Sequence, residues 1–265
     1  MLSQITSRDN SLLQLARSVR DGKTTELIFV EGMRLCEEAL RSGLHVHALL
    51  VSDELAAKER ARDLIASLEA TADRAALISE TLLASISYTK TPQGIVVLAD
   101  RPATSEAHFA AAQAKALIVV MHRINNPVNV GAILRTAEAA GATGAIATQH
   151  TADPFSPKAL RGAMGSAFRL PVWFGADFTE AVSWCSKAEV QTVCADVHAT
   201  NSYDEVDWRK PSALIMGPES NGLSAEEVAA ASMSVRIPML PEAESLNVAV
   251  ATGVLLYEAV RQRRH

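Results

Sequence analysis

A chain of 265 residues, 48% hydrophobic and 21% charged, carries enough apolar material for one or two packed globular domains. Aromatic residues make up only 5%, which argues against broad stacking platforms for single-stranded nucleic acid. The net charge of −5 weighs mildly against a nucleic-acid partner, although phosphate contacts need local cations rather than a cationic whole.

The opening segment supplies such cations in Arg8, Arg17, Arg20 and Lys23, against Asp9 and Asp21, a run that fits an RNA contact or a solvated helix face. It lacks a cationic stretch followed by an apolar core and cleavage site, so the expected location is the cytoplasm. Leu27 to Val30 reads as a short strand. Met33, Leu35, Cys36, Ala39 and Leu40 then recur at helical spacing, with Gly43 as the stop. His47 to Val51 reads as the next strand, Glu54 to Leu68 as a charged helix, and Ile95 to Leu98 as a closing strand. These elements predict a small α/β domain. Asp100 to Lys115, rich in alanine and polar residues, reads as a linker that turns helical near its end. The boundary falls near Ala103, giving domains 1–103 and 104–265.

The second part repeats this grammar with strand-like runs at Leu117–Met121, Ala145–Thr148, Val172–Phe174, Val190–Ala195, Ala213–Met216 and Val235–Ile237. Asp177 with Glu180, and Ser224 with Glu227, have capping-box spacing for intervening helices. The apolar run Val248–Val260 predicts a last helix too short to span a bilayer. Strands alternating with helices imply a largely parallel sheet covered on both faces, with ligands at the carboxyl ends of its strands.

Several chemistries find no support. Walker, H-E-x-x-H and Gly-x-Gly-x-x-Gly patterns are missing. Cys36, Cys185 and Cys194 are scattered and read as buried small hydrophobes, neither disulfides nor a zinc site. His45 and His47 alternate like metal ligands, but without a third ligand they read as exposed edge-strand histidines, and no metal is expected. Trp173, Trp184 and Trp208 read as core or interface anchors.

Three polar, glycine-bearing loops carry the candidate chemistry. In Asn125-Asn126-Pro127-Val128-Asn129-Val130-Gly131-Ala132-Ile133-Leu134-Arg135, the asparagines suit capping and Pro127 a first turn, while Arg135 offers a permanently charged fork for a phosphate. In Met216-Gly217-Pro218-Glu219-Ser220-Asn221-Gly222-Leu223-Ser224, Gly217 permits close backbone approach beside the Glu219 carboxylate. In Ile237-Pro238-Met239-Leu240-Pro241-Glu242-Ala243-Glu244-Ser245-Leu246-Asn247, Ser245 and Asn247 stand where a helix cap is expected and offer a hydroxyl and an amide to a substrate. Each loop alone is equally a capped helix start or a tight turn.

Together the three loops resemble the three motifs of the SpoU family, the 2′-O-ribose methyltransferase branch of the SPOUT superfamily. Arg161 to Val172, RGAMGSAFRLPV, is similar to that family's segment between its first and second motifs. In the first part, FVEGMRLCEEAL (Phe29 to Leu40) and TPQGIVVLA (Thr91 to Ala99) resemble the family's substrate-binding domain. The resemblance implies a SPOUT catalytic domain closed by a trefoil knot, preceded by a ribosomal-protein-like (L30e-like) α/β domain. It implies S-adenosyl-L-methionine as cofactor, RNA (rRNA or tRNA) as substrate, and a homodimer formed through the catalytic domain.

Residue by residue, the resemblance implies that Gly217, Ile237 and Leu246 face the cofactor through backbone groups, with Ala195 and Met239 beside them. Arg135 matches the arginine that engages the target nucleotide and helps deprotonate its 2′-hydroxyl. A guanidinium is a permanently charged fork of donors, so the expected role is gripping a phosphate and orienting the hydroxyl. Glu219, Ser245 and Asn247 would complete the catalytic site, some of them across the dimer interface. Asn129 would hold the RNA backbone, joined by Arg8, Arg17, Arg20, Lys23 and Arg34 on the first domain. Two departures from the family pattern, Leu240-Pro241-Glu242 in place of a glycine and Ala249 in place of a serine, bear on substrate choice. A catalytically silent RNA-binding protein of the same fold and a base-methylating enzyme remain as alternatives.

Overall fold

The computed structural model describes residues 2–109 and 115–264; the helical turn expected at the end of the linker falls on 110–114, outside the described residues. The chain forms two compact units, Met1–Pro102 with Phe155–Phe168, and Ala103–Pro154 with Arg169–His265.

In the first unit, β1 (Ser3–Ile5), α1 (Ser11–Arg20), β2 (Leu27–Glu31), α2 (Met33–Arg41) and β3 (Val46–Ser52) are followed by α3 (Asp53–Ala56), α4 (Arg62–Thr71), β4 (Ala72–Ile78), α5 (Glu80–Ile86) and β5 (Ile95–Asp100). The sheet has the order β1-β4-β3-β5-β2, with β5 antiparallel to both of its neighbours. Leu50 pairs with Ala76 on one side and Val96 on the other, so β3 is the middle strand. His45 and His47 therefore do not lie on an edge strand. His45 sits between Asp73 and Asp100 at 3.1 and 3.2 Å, and the Asp73 hydrogen bond raises its pKa.

The single helix expected over Glu54–Leu68 is broken. Leu55 and Ala61 are both buried, yet six residues of helix would put them about 120° apart. A four-residue helix capped by Ser52 buries Leu55, and a 3-10 turn at Glu59–Ala61 resets the register so that Ala61, Ile65 and Leu68 share a face. Two expected RNA cations are also tied down. Arg17 donates to the carbonyl of Arg8 at 2.9 Å, and Arg20 reaches Asp21 and the carbonyls of Ser85 and Ser87. Arg8, Lys23 and Arg34 stay exposed.

The second unit begins with β6 (Leu117–Met121), α6 (Pro127–Ala139) and β7 (Gly144–Thr148). The excursion Phe155–Phe168, which holds α7 (Pro157–Ala163) and most of α8 (Ser166–Arg169), belongs to the first unit and packs on β2. The chain then forms β8 (Val172–Ala176), α9 (Phe178–Lys187), β9 (Gln191–Ala195), β10 (Asn201–Ser202), β11 (Ser212–Met216), α10 (Ala225–Ala230), β12 (Met233–Arg236) and α11 (Val248–Arg263). Seven parallel strands take the order β10-β12-β9-β11-β6-β7-β8. The strands β6, β7 and β11 are buried at every position, as helices on both faces require.

Phe109 and Trp184 meet edge-on with centroids 5.1 Å apart, and Trp208 is fully buried. All three cysteines are free and buried; desolvation pushes the Cys185 thiol up to about 12 and the Cys194 thiol to about 11, which leaves them inert. Among the described residues no helix is long and apolar enough to cross a membrane.

Arg263 locks the last helix in place. It donates to the carbonyls of Trp208, Lys115, Ala116 and Lys210 at 2.7, 3.0, 2.9 and 2.9 Å. Arg263→Ala is expected to cost about 2–3 kcal/mol, because charge-assisted bonds are lost and carbonyls are orphaned. Urea unfolding measures this, and a loss below about 0.5 kcal/mol would show the clasp to be incidental.

Candidate functional site

The adjacent strands β12, β9 and β11 run parallel, so their carboxyl ends share one edge of the sheet. Ala195, Gly217 and Ile237 sit at or just beyond those three ends. Together they open a cavity of about 660 Å³, which Asn129, Glu219, Met239, Ser245, Leu246 and Asn247 also line. The three loops singled out in the sequence thus converge on one hollow. Gly217 is needed there. A Cβ on it would lie 2.8 Å from Leu223 Cγ and 3.0 Å from the Leu223 backbone nitrogen.

A directed relay of side chains crosses the cavity wall. Asn247 caps α11, its Oδ1 accepting from the Ala249 and Val250 amides at 2.9 and 3.4 Å. Its Nδ2 is then free to donate to Asn129 Oδ1 at 3.3 Å, and Asn129 Nδ2 donates to Glu219 Oε1. Helix amides at one end and an acceptor-only carboxylate at the other fix the orientation of both amides. Asn247 therefore caps α11 and lines the cavity at once. Asn126 caps α6, accepting from Val128 N at 3.0 Å, with Pro127 in the first turn. Ser245 lines the cavity with its hydroxyl exposed.

Arg135 is not part of this lining. It stands exposed on α6, six residues beyond Asn129, hence about 9 Å along the axis and about 120° around it. It makes no ion pair or hydrogen bond among the described residues. Its face of α6 carries Val128, Ala132 and Ala139, and the exposed face of α11 carries Val250, Tyr257 and Arg261. The two helices pack against each other over the sheet, so both faces point away from it.

Asp196, His198 and Arg236 line the cavity as well, and the sequence reading passed over them. The polar Asp-Val-His run straight after the apolar strand β9 was the available signal. Among the described residues no group of three or more metal-binding side chains occurs.

The SpoU rRNA methylase family model matches residues 116–257, and the MRM3-like substrate-binding domain matches residues 11–97. The chain is 30% identical to the 23S rRNA (guanosine(2553)-2′-O)-methyltransferase of Bacillus subtilis, over 97% of this chain and 98% of that one. It is similar to the crystal structure of an AdoMet-bound rRNA methyltransferase from Sinorhizobium meliloti, with a TM-score of 0.87, 31% identity and 98% of each chain covered. The SpoU methyltransferase AviRb from Streptomyces viridochromogenes, in complex with AdoMet, gives a TM-score of 0.85 at 29% identity, covering 96% of this chain and 98% of that one.

Proposed function

This chain belongs to the SpoU rRNA methylase family, and on that premise we infer that it transfers the methyl group of S-adenosylmethionine to a ribose 2′-hydroxyl of ribosomal or transfer RNA. The observation that carries the reading is the convergence of three distant loops on one cavity, joined by the Asn247–Asn129–Glu219 relay. Its volume lies within the roughly 300–1,000 Å³ of small-molecule sites. Backbone groups of Ala195, Gly217, Ile237, Met239 and Leu246 would hold the cofactor, whose contribution is a methyl group on a sulfonium.

The chain's own residues do the positioning. Asn129, Glu219 and Asn247 hold the loops in register, and Ser245 offers its hydroxyl at the cavity mouth. Arg135 would grip a phosphate and orient the sugar hydroxyl, the role that suits a permanently charged planar fork of donors. Alignment of the hydroxyl with the methyl supplies much of the acceleration. The likeness to relatives named as 23S rRNA 2′-O-methyltransferases favours an enzyme over a catalytically silent binder.

Finer features belong to the same proposal. The apolar faces of α6 and α11, with Val128, Val250 and Tyr257 about half exposed, suit a homodimer interface through the catalytic domain. Arg135 would then serve the cavity of the partner subunit. The passage from β12 through the cavity wall to α11 suits a trefoil knot, and the mixed sheet of residues 1–103 suits an L30e-like domain that binds RNA. There Arg8, Lys23 and Arg34 would meet phosphates, with Arg17 holding the Arg8 carbonyl and Arg20 the carbonyls of Ser85 and Ser87. Residues 104–265 would form the catalytic domain, and the cytoplasm is where such an RNA enzyme would work.

Nuclease digestion and mass spectrometry of product RNA test the reaction, with the methyl group expected on ribose; a methylated base would select the alternative enzyme class. Gly217→Ala is expected to weaken S-adenosylmethionine binding by at least about tenfold, because the new Cβ displaces the 217–223 loop. Calorimetric titration reads this, and unchanged affinity would remove the cavity from the proposal.

A further inference from the structure

We propose that His122, Arg123 and Glu227 form a positioning bridge that sets the shape of the cofactor cavity by tying its first two loops together from outside. The inference rests on reading that cavity as the S-adenosylmethionine site. None of the three residues lines the cavity; they border a separate hollow of about 450 Å³ with Thr148, Phe178 and Ser224.

The bridge begins where two neighbouring strands part. Beyond the paired residues Met121 and Met216, the His122 amide still donates to the Met216 carbonyl at 2.9 Å. From there one chain runs through 123–126 into α6, which bears Asn129. The other runs through Gly217 and Glu219 to α10. Inside the cavity the two are joined by the Asn129–Glu219 bond. Outside, Glu227 joins them a second time.

Glu227 uses both carboxylate oxygens. Oε2 accepts from the Ser224 amide at 2.8 Å, closing the capping box at the end of the second loop. A capping box needs no more than that. Oε1 instead faces His122 Nε2 at 3.0 Å and takes the Arg123 guanidinium, from residues 105 and 104 positions away. Burial opposes the charge on Glu227, but the Ser224 amide, His122 and Arg123 more than offset it and hold the carboxyl below its usual range.

Arg123 adopts the left-handed backbone region, φ 53°, which a non-glycine residue rarely keeps unless its surroundings hold it there. This turn brings its Nε within 2.7 Å of His122 Nε2. The imidazole is nearly buried, lies 4.5 Å from the Phe178 ring centroid, and has its pKa lowered by burial against the pull of Glu227. The ring Nδ1 lies 3.0 Å from Thr148 Oγ1 on the side away from Glu227. Thr148 in turn donates to the Gln149 carbonyl at 3.4 Å. The head of the first loop is thus anchored to β7 as well as to the second loop.

Glu227→Gln and Arg123→Ala are each expected to raise the Kd for S-adenosylmethionine about tenfold, and the double variant little further, because both remove one coupled tie. Ser224→Ala removes the hydroxyl from the same helix start but spares the bridge, and its Kd is expected to stay within about twofold of the parent protein's. Calorimetry on the full chain, with thermal unfolding in parallel, separates positioning from stability. Parent-like Kd values in Glu227→Gln and Arg123→Ala overturn the bridge, as does an equal loss in Ser224→Ala. If Glu227→Gln fails to fold, Arg123→Ala alone decides. Should the parent protein itself give no binding heat, the cavity reading fails instead.

Discussion

Replacing Arg135 by alanine is expected to lower methyl transfer by roughly two to three orders of magnitude, the loss seen when a positioned charge donor is removed from a reacting centre. Binding of S-adenosylmethionine is expected to persist, because Arg135 lies outside the cavity that would hold it. The side chain is exposed and makes no ion pair or hydrogen bond among the described residues, so its removal should leave the fold intact. Arg135→Lys keeps the charge but loses the planar fork and should fall between the two. If the arginine grips a phosphate, the alanine variant should also show a salt dependence of RNA binding shallower by about one unit in the log–log slope. Turnover near that of the parent protein would strip Arg135 of its role.

The second unit was the more legible half, for a physical reason. Parallel strands covered on both faces are apolar throughout, so Leu117–Met121 stands out as an unbroken run and is β6. The capping boxes at Asp177 and Ser224 were equally visible, because their partners lie three residues apart. In the first unit β4, with the sequence ADRAALI, alternates too weakly to announce itself, and β1 has only three residues. The break after Leu55 was readable in principle from its six-residue spacing to Ala61, had burial of both been known.

The loop residues that line the cavity stood out in the sequence because each loop follows a strand end, where ligands gather. The second use of Glu227 was out of reach. Its link to His122 depends on β11 lying beside β6, a sheet order that local pattern does not encode. The position of Arg135 was hidden differently. Asn129 and Arg135 belong to one motif, yet helical geometry turns only the first toward the cavity.

That divergence yields the sharpest test of the assembly. If Arg135 acts on the partner's cavity, a heterodimer of Arg135→Ala and Gly217→Ala subunits, assayed at S-adenosylmethionine well below the weakened Kd so that each homodimer is strongly impaired, contains one intact site. The cavity of the Arg135→Ala chain keeps Gly217 and receives the arginine of its partner, while the other site carries both lesions. Co-expression with two affinity tags isolates this heterodimer, and about half the parent activity is expected, one of two symmetric sites being whole. If Arg135 instead curled back to its own chain, each site would carry one lesion and the heterodimer would show only the average of the two impaired homodimers. An exclusively monomeric protein would end the proposal before mixing. With Val128, Val250 and Tyr257 about half exposed on adjacent helices, a monomer would leave an apolar face uncovered around the residue that most needs a neighbour.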